Sequence, residues 1–209
     1  MKPEIDYTLY LCTDRKHMSV ETIEESVELA IKGGVSVVQL REKECTAKEF
    51  YETAMAVKVI TDAYEVPLLI NDRLDIALGV GADGVHLGQD DVPVQAARDV
   101  LGPDKIIGAT AHTVREAEEA WKMGADYLGV GDVFGTTSKS DTRRISLEEL
   151  REICHAVPIP VVAIGGVNEG NIHKLADTGV AGAAVISAVI GKENITAAAQ
   201  ELIRGFQGE

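Results

Sequence analysis

Short apolar runs alternate with longer amphipathic stretches, and the alternation repeats eight times along the chain. The runs are Thr8 to Thr13 (TLYLCT), Val35 to Leu40 (VSVVQL), Pro67 to Ile70, Gly84 to Leu87, Lys105 to Ala109, Ala125 to Gly131, Ile159 to Ile164 and Gly182 to Ile186. Runs of β-branched and Leu residues suit strands buried in a parallel sheet. Ile23, Val27, Ala30 and Ile31 then mark a helix face. Ser19 is read as its N-cap, without a capping box because Thr22 stands three residues on. Thr46 to Thr61 is a second helix, with Thr46 and Glu49 at capping-box spacing. Further helices are expected at Leu74 to Leu78, Val92 to Leu101, Thr113 to Met123, Ser146 to His155, Asn168 to Thr178 and Thr196 to Arg204. Ala188 to Ile190 reads as a short helical turn, and Asp132 to Arg144 as a long polar loop. Gly34, Gly81, Gly102, Gly124 and Gly179 close helices, where a left-handed residue starts the next strand.

Eight strand-then-helix units predict an α/β fold, a (β/α)8 TIM barrel forming a single domain over 1–209. Closure leaves no edge strand, and the length lies near the lower limit of about 200 residues for that fold. A doubly wound open sheet is the alternative, but no GxGxxG follows the first strand.

Composition narrows the function. A formal net charge of −14 argues against nucleic acid and an anionic membrane surface as partners. It leaves room for an anionic small substrate, because a metal ion or a local Arg/Lys pair sets the field inside a site. Aromatics make up only 4%, so an aliphatic core of Val, Ile, Leu and Ala is expected. Cys12, Cys45 and Cys154 form no CxxC and read as free thiols of a reducing compartment. The N-terminus has too short an apolar run for a signal peptide, and no stretch approaches the roughly 18 apolar residues of a membrane span. A cytoplasmic location is expected; the sequence leaves a homo-oligomer open.

The candidate chemistry collects just after strands. Asn71 and Asp72 follow the third run, and Asp90 and Asp91 follow the fourth. At the C-terminal ends of neighbouring parallel strands, Asp72 and Asp91 could face each other and take a hard cation such as Mg2+. A pair of helix-starting acids is the plainer reading. Gln39, Arg41 and Lys43 alternate, so they share a face and make a candidate anion clamp. The plainer alternative is a surface turn in which Glu42 and Glu44 balance the two cations. Thr136, Thr137, Ser138 and Lys139 offer phosphate-binding groups in the long loop, or only a polar loop. Gly165-Gly166 and Ser187 follow the last two strands, where loop amides often bind phosphate. Such a site needs no positive side chain, and none is seen near it in the sequence. The five histidines form no metal pattern; His86 and His112 are nearest the expected mouth. Two phosphorylated substrates, or one with phosphates at both ends, would fit these features.

The segments LYLCTD, QLREK, INDR, DGVHLGQDD, IGATAHT, YLGVGDVFGTTSKSD, VAIGGV and AAVISAV occur in an order that resembles the thiamine-phosphate synthase family over nearly the whole chain. The resemblance implies a (β/α)8 barrel that joins 4-amino-5-hydroxymethyl-2-methylpyrimidine diphosphate to a thiazole phosphate, giving thiamine monophosphate and pyrophosphate. It implies Mg2+ on Asp72 and Asp91. Gln39, Arg41, Lys43 and Asn71 would hold the pyrimidine and its diphosphate, with Lys139 on the diphosphate. Thr136, Ser138, Gly166, Ile186 and Ser187 would form the thiazole-phosphate site, and Arg41, Lys43 and Lys139 would act in catalysis. Thr110 stands where the family usually has a Ser near the diphosphate. Asp132 and Gly135 replace two usual prolines, and Ser138 a usual Thr, so a more flexible loop carrying an added negative charge is expected. Two other readings stay open: a related thiazole tautomerase, which lacks diphosphate chemistry, and a silent barrel that binds thiamine precursors.

Overall fold

The eight apolar runs pair in chain order. In the computed structural model, which describes residues 4–136 and 143–209, each forms a parallel strand. Thr137, Ser138 and Lys139 lie outside the described residues. The strands are β1 (Leu9–Cys12), β2 (Val37–Leu40), β3 (Leu68–Asn71), β4 (Gly84–Leu87), β5 (Ile106–Ala111), β6 (Tyr127–Val130), β7 (Val161–Ile164) and β8 (Gly182–Val185). They form a closed barrel in which β8 returns to β1, with Leu9 opposite Ala183. The expected (β/α)8 architecture is therefore observed.

The helices are α1 (Ile23–Lys32), α2 (Ala47–Ala63), α3 (Leu74–Val80), α4 (Val94–Leu101), α5 (Val114–Lys122), α6 (Leu147–Ala156), α7 (Ser187–Ile190) and α8 (Ile195–Gln207). Capping boxes start α2 at Thr46 and α6 at Ser146, each closed by Glu three residues on. The five glycines expected to end helices all take positive φ. Among the described residues, no helix is long and apolar enough to cross a membrane.

Three local expectations change. Thr22, not Ser19, caps α1, its hydroxyl accepting from Glu25 N–H at 3.1 Å. Ser19 instead donates to the Lys192 carbonyl at 2.7 Å, a contact 173 residues away in sequence. The stretch 168–178 is not one α-helix. Side-chain amides of Asn168 and Asn171 tie up its start, and a 3-10 helix follows at Ile172–Thr178. Thr110 lies inside β5 rather than after it, because the strand runs on to Ala111.

The core has two parts. Apart from Phe50, the buried residues between barrel and helices are aliphatic, as expected, and include Leu9, Leu11, Val38, Leu40, Ile70 and Val85. The barrel interior departs from that expectation: Tyr7, Tyr10 and Tyr127 fill it beside Val37, Leu69, Ile106 and Val162. Gly108 makes the space for one of them, since a Cβ there would fall 2.2 Å from the Tyr127 ring.

At the N-terminal face one guanidinium ties the ends of β5 and β6 together. Arg98 donates to the carbonyls of Gly102 (2.9 Å), Lys105 (2.6 Å) and Gly124 (2.9 Å), and to Asp126 at 2.6 Å. The same Asp126 oxygen accepts Ile107 N–H at 2.8 Å.

Candidate active site

The C-terminal strand ends open into a cavity of about 730 Å3. That volume suits small-molecule ligands. Gln39, Arg41, Lys43, Asn71, Asp72, Asp91, Thr110, Thr136, Gly166, Ile186 and Ser187 all line it. Of the candidate residues in the long loop, Thr137, Ser138 and Lys139 fall outside the described residues.

The ion pairs decide between an anion clamp and a surface turn at the end of β2. Glu42 binds Arg15 at 3.0 Å and Glu44 binds Lys16 at 2.5 Å, both partners coming from the loop after β1. Neither acid lines the cavity, Glu42 being buried against Arg15 and Glu44 exposed beside Lys16, whereas Arg41 and Lys43 do line it. Arg41 rests on Asp14 at 3.1 Å, and its backbone N–H donates to the Thr13 hydroxyl at 3.0 Å. Thr13 and Asp14 thus position the clamp, a role that sequence spacing gave no sign of. Gln39 is buried deeper, its amide donating to the Tyr10 hydroxyl at 2.8 Å.

Lys43 reaches across to Asp72 at 2.9 Å. Asp72 adopts a left-handed backbone, φ 64°, rare for a residue with a side chain. Its N–H donates to the His86 carbonyl at 2.9 Å, which holds that conformation. Such strain persists where the surroundings over-determine it, and it gathers at functional sites. The Asp72 and Asp91 carboxyl groups lie near enough for each to shift the other's ionisation. Burial and the Asp72 charge raise Asp91 above the ordinary carboxylate range, against the Gly88 N–H that donates to it at 2.7 Å. Burial works to raise Asp72 as well, but the hydrogen bond from Lys43 and the neighbouring Asp91 hold it below its ordinary value.

Two carboxyl groups this close repel unless a proton or a cation lies between them. Among the described residues no group of three His, Cys, Asp or Glu gathers into a cage. Mg2+ does not require one: it is commonly held by one or two carboxylates, with water and substrate phosphate completing its shell. The acid pair, set in the wall of an anion-binding cavity, fits that ion.

Across the mouth the backbone does most of the shaping. Val133 and Phe134 N–H donate to the Ile164 and Gly165 carbonyls, so the loop after β6 zips along the end of β7. Gly165 and Gly166 both have positive φ, and a Cβ on Gly166 would fall 2.2 Å from the Gly135 carbonyl oxygen. This turn therefore demands glycine for space as well as conformation. Asp132 lies against Gly165, nearly buried, and accepts N–H from Gly135 and Thr136, each at 2.8 Å. Its own N–H and carbonyl pair with Arg143 and Ile145. Asp132 thus ties both described ends of the long loop together, and its carboxylate accepts from two amides of that loop. A positive side chain is also present here. Lys192 lines the cavity near Ser187, held by Glu169 at 2.7 Å.

Anionic ligands are what this rim can hold, and fold and rim together define a barrel enzyme acting on phosphorylated small molecules. A family profile described as "Thiamine monophosphate synthase" matches residues 9–189. The "Thiamine-phosphate synthase" of Ruminiclostridium cellulolyticum is 53% identical over 206 residues, covering 99% of this chain and 98% of that protein. The chain belongs to the thiamine monophosphate synthase family and is an enzyme performing that family's condensation. "Thiamine-phosphate synthase 2" of Streptococcus pneumoniae is 50% identical over 196 residues, 94% of this chain and 93% of that one. The solved "Thiamine phosphate pyrophosphorylase" from Pyrococcus furiosus superposes with a TM-score of 0.90 at 43% identity, covering 97% of this chain and 96% of that one.

Proposed function

We propose that the cavity holds its two phosphorylated substrates side by side. Gln39, Arg41, Lys43, Asn71, Thr110 and Lys139 hold the pyrimidine and its diphosphate. Asp72 and Asp91 would hold Mg2+. Thr136, Ser138, Gly166, Ile186 and Ser187 form the thiazole-phosphate site. The observation that carries this reading is the rim of β2 and β3, where Arg41 and Lys43 face inward beside the acid pair.

The chemistry then runs by dissociation. The bond from the pyrimidine methylene carbon to the diphosphate oxygen breaks, and pyrophosphate leaves with the electron pair. The aminopyrimidine ring spreads the resulting positive charge. The thiazole nitrogen lone pair forms the new C–N bond. No step needs a protein nucleophile. When bound, Mg2+ supplies positive charge to the departing diphosphate. Arg41, Lys43 and Lys139 neutralise what remains of the charge that develops on the leaving diphosphate. The opposite wall aligns the thiazole, which removes the entropy cost of bringing two rings together. Intact Asp72, Asp91, Arg41 and Lys43 favour this reading over a tautomerase, which has no diphosphate to neutralise.

Ser187→Ala tests the map. It is expected to raise KM for the thiazole phosphate about tenfold, the cost of one hydrogen bond to a charged group, and to leave KM for the pyrimidine diphosphate unchanged. A loss confined to the pyrimidine diphosphate would reverse the two sub-sites.

A further inference from the structure

A chain of hydrogen bonds crosses the barrel floor beneath the cavity. Gln39 Nε2 lies 2.8 Å from the Tyr10 hydroxyl, which lies 2.7 Å from the Tyr127 hydroxyl. The Tyr127 hydroxyl lies 2.8 Å from His86 Nδ1, and His86 Nε2 lies 3.0 Å from Thr110 Oγ1. Five side chains on β1, β2, β4, β5 and β6 are joined end to end.

Counting hydrogens gives the chain a direction. An amide NH2 can only donate, so Gln39 donates to Tyr10. If every buried hydroxyl hydrogen is to have a partner, Tyr10 directs its single hydrogen to Tyr127, and Tyr127 directs its own to His86 Nδ1. A neutral imidazole that accepts at Nδ1 carries its hydrogen on Nε2. His86 therefore donates to Thr110, and the Thr110 hydrogen points onward. Both tyrosines are fully buried, and burial raises their phenols well above the ordinary value, so neither hydrogen is lost to solvent.

The polarity suits the two ends. At one end the Gln39 amide keeps its oxygen, an acceptor for an exocyclic amino group. At the other, Thr110 offers a donor to a phosphate oxygen, which can only accept. Reversing the Gln39 amide would reverse every link and put a donor against the amine and an acceptor against the phosphate.

Packing alone does not call for this arrangement. Phenylalanine would fill the Tyr127 site without a hydroxyl to satisfy, and buried polar groups are costly unless every partner is present. Space is cleared for the chain as well: a Cβ on Gly108 would fall 2.2 Å from the Tyr127 ring, and one on Gly129 would fall 2.9 Å from His86 Cε1.

We infer that Tyr10, Tyr127 and His86 are positioning residues, a one-way hydrogen-bond relay that fixes the Gln39 amide as acceptor and the Thr110 hydroxyl as donor toward the two ends of one substrate. The inference rests on the sub-site map above only for which substrate that is.

A double-mutant cycle tests it on the purified full chain with both substrates and Mg2+. Thr110→Val and Tyr127→Phe are each expected to lower kcat/KM for the pyrimidine diphosphate about tenfold, or ~1.4 kcal/mol. The double variant is expected to lose less than the product of the two single losses, because part of what Tyr127 does passes through that hydroxyl. Thr110→Ser keeps the hydroxyl and should retain nearly full activity. Penalties that multiply in the double variant would overturn the relay. So would a Thr110→Val variant with unchanged kinetics, or a Tyr127→Phe loss that only follows a lowered Tm. Coupling that appears in the thiazole-phosphate KM instead would uphold the relay and overturn the sub-site map.

Discussion

Replacing Asp91 with Asn is expected to lower kcat roughly 10²- to 10³-fold, the usual scale for removing one group that stabilises charge in the transition state. The fold should barely notice. Asn keeps the shape and one oxygen for the Gly88 N–H that Asp91 now receives at 2.7 Å. Turnover unchanged at saturating Mg2+ would remove Asp91 from the metal site; a large fall in Tm alongside lost turnover would make its role structural. The acid pair also predicts a pH dependence. Asp91 is raised by burial and by the Asp72 charge, so it keeps its proton to a higher pH than an ordinary carboxyl group. Mg2+ must displace that proton. Apparent Mg2+ affinity should therefore weaken as pH falls through the raised pKa of Asp91, sooner than an unshifted carboxylate would allow. Titrating Mg2+ at several pH values checks the sign, and in the Asp91→Asn variant this dependence should flatten.

The second large effect belongs to the opposite face and to stability. Arg98→Ala should cost about 3 kcal/mol, because it removes the hydrogen bonds to three carbonyls and the ion pair with Asp126. For a chain of this length that corresponds to a Tm lower by roughly 6–12 °C. The rate constants at a temperature where the variant is folded should match the parent, since Arg98 binds the N-terminal ends of β5 and β6, away from the cavity. Thermal unfolding and kinetics on one preparation separate the two effects. A variant with unchanged Tm, or a folded one with impaired catalysis, would contradict this division of the barrel into a catalytic face and a stabilising one.

That division was partly legible in the sequence. The order of strand and helix was, because each unit carries its own local signals: capping pairs at Thr46–Glu49 and Ser146–Glu149, and left-handed glycines such as Gly81. The rim was legible for a related reason. A polar residue just after an apolar run falls at a strand end, which gathers Gln39, Arg41, Asn71 and Asp72 at one mouth. Contacts made across the fold were hidden. Ser19 is as good a cap as Thr22 by composition, and only the long-range bond to Lys192 takes it away. The tyrosine floor was hidden because most strands are buried on both faces, so no alternation tells which side chains point inward. The partners of Asp132 could not be read either: its carboxylate accepts from the amides of Gly135 and Thr136, which composition does not reveal. Lys192 lies in sequence beyond α7, and only closure of the barrel brings it to the mouth.

The measurement that bears most directly on the central claim is pyrophosphate release from the purified protein given both substrates, with Mg2+ and then with EDTA. Release matched one for one by thiamine monophosphate, lost with EDTA and restored by excess Mg2+, is the predicted result. Release that persists in EDTA would contradict a metal-assisted diphosphate site at Asp72 and Asp91. No release in either condition, with the thiazole phosphate still bound, would contradict the condensation itself.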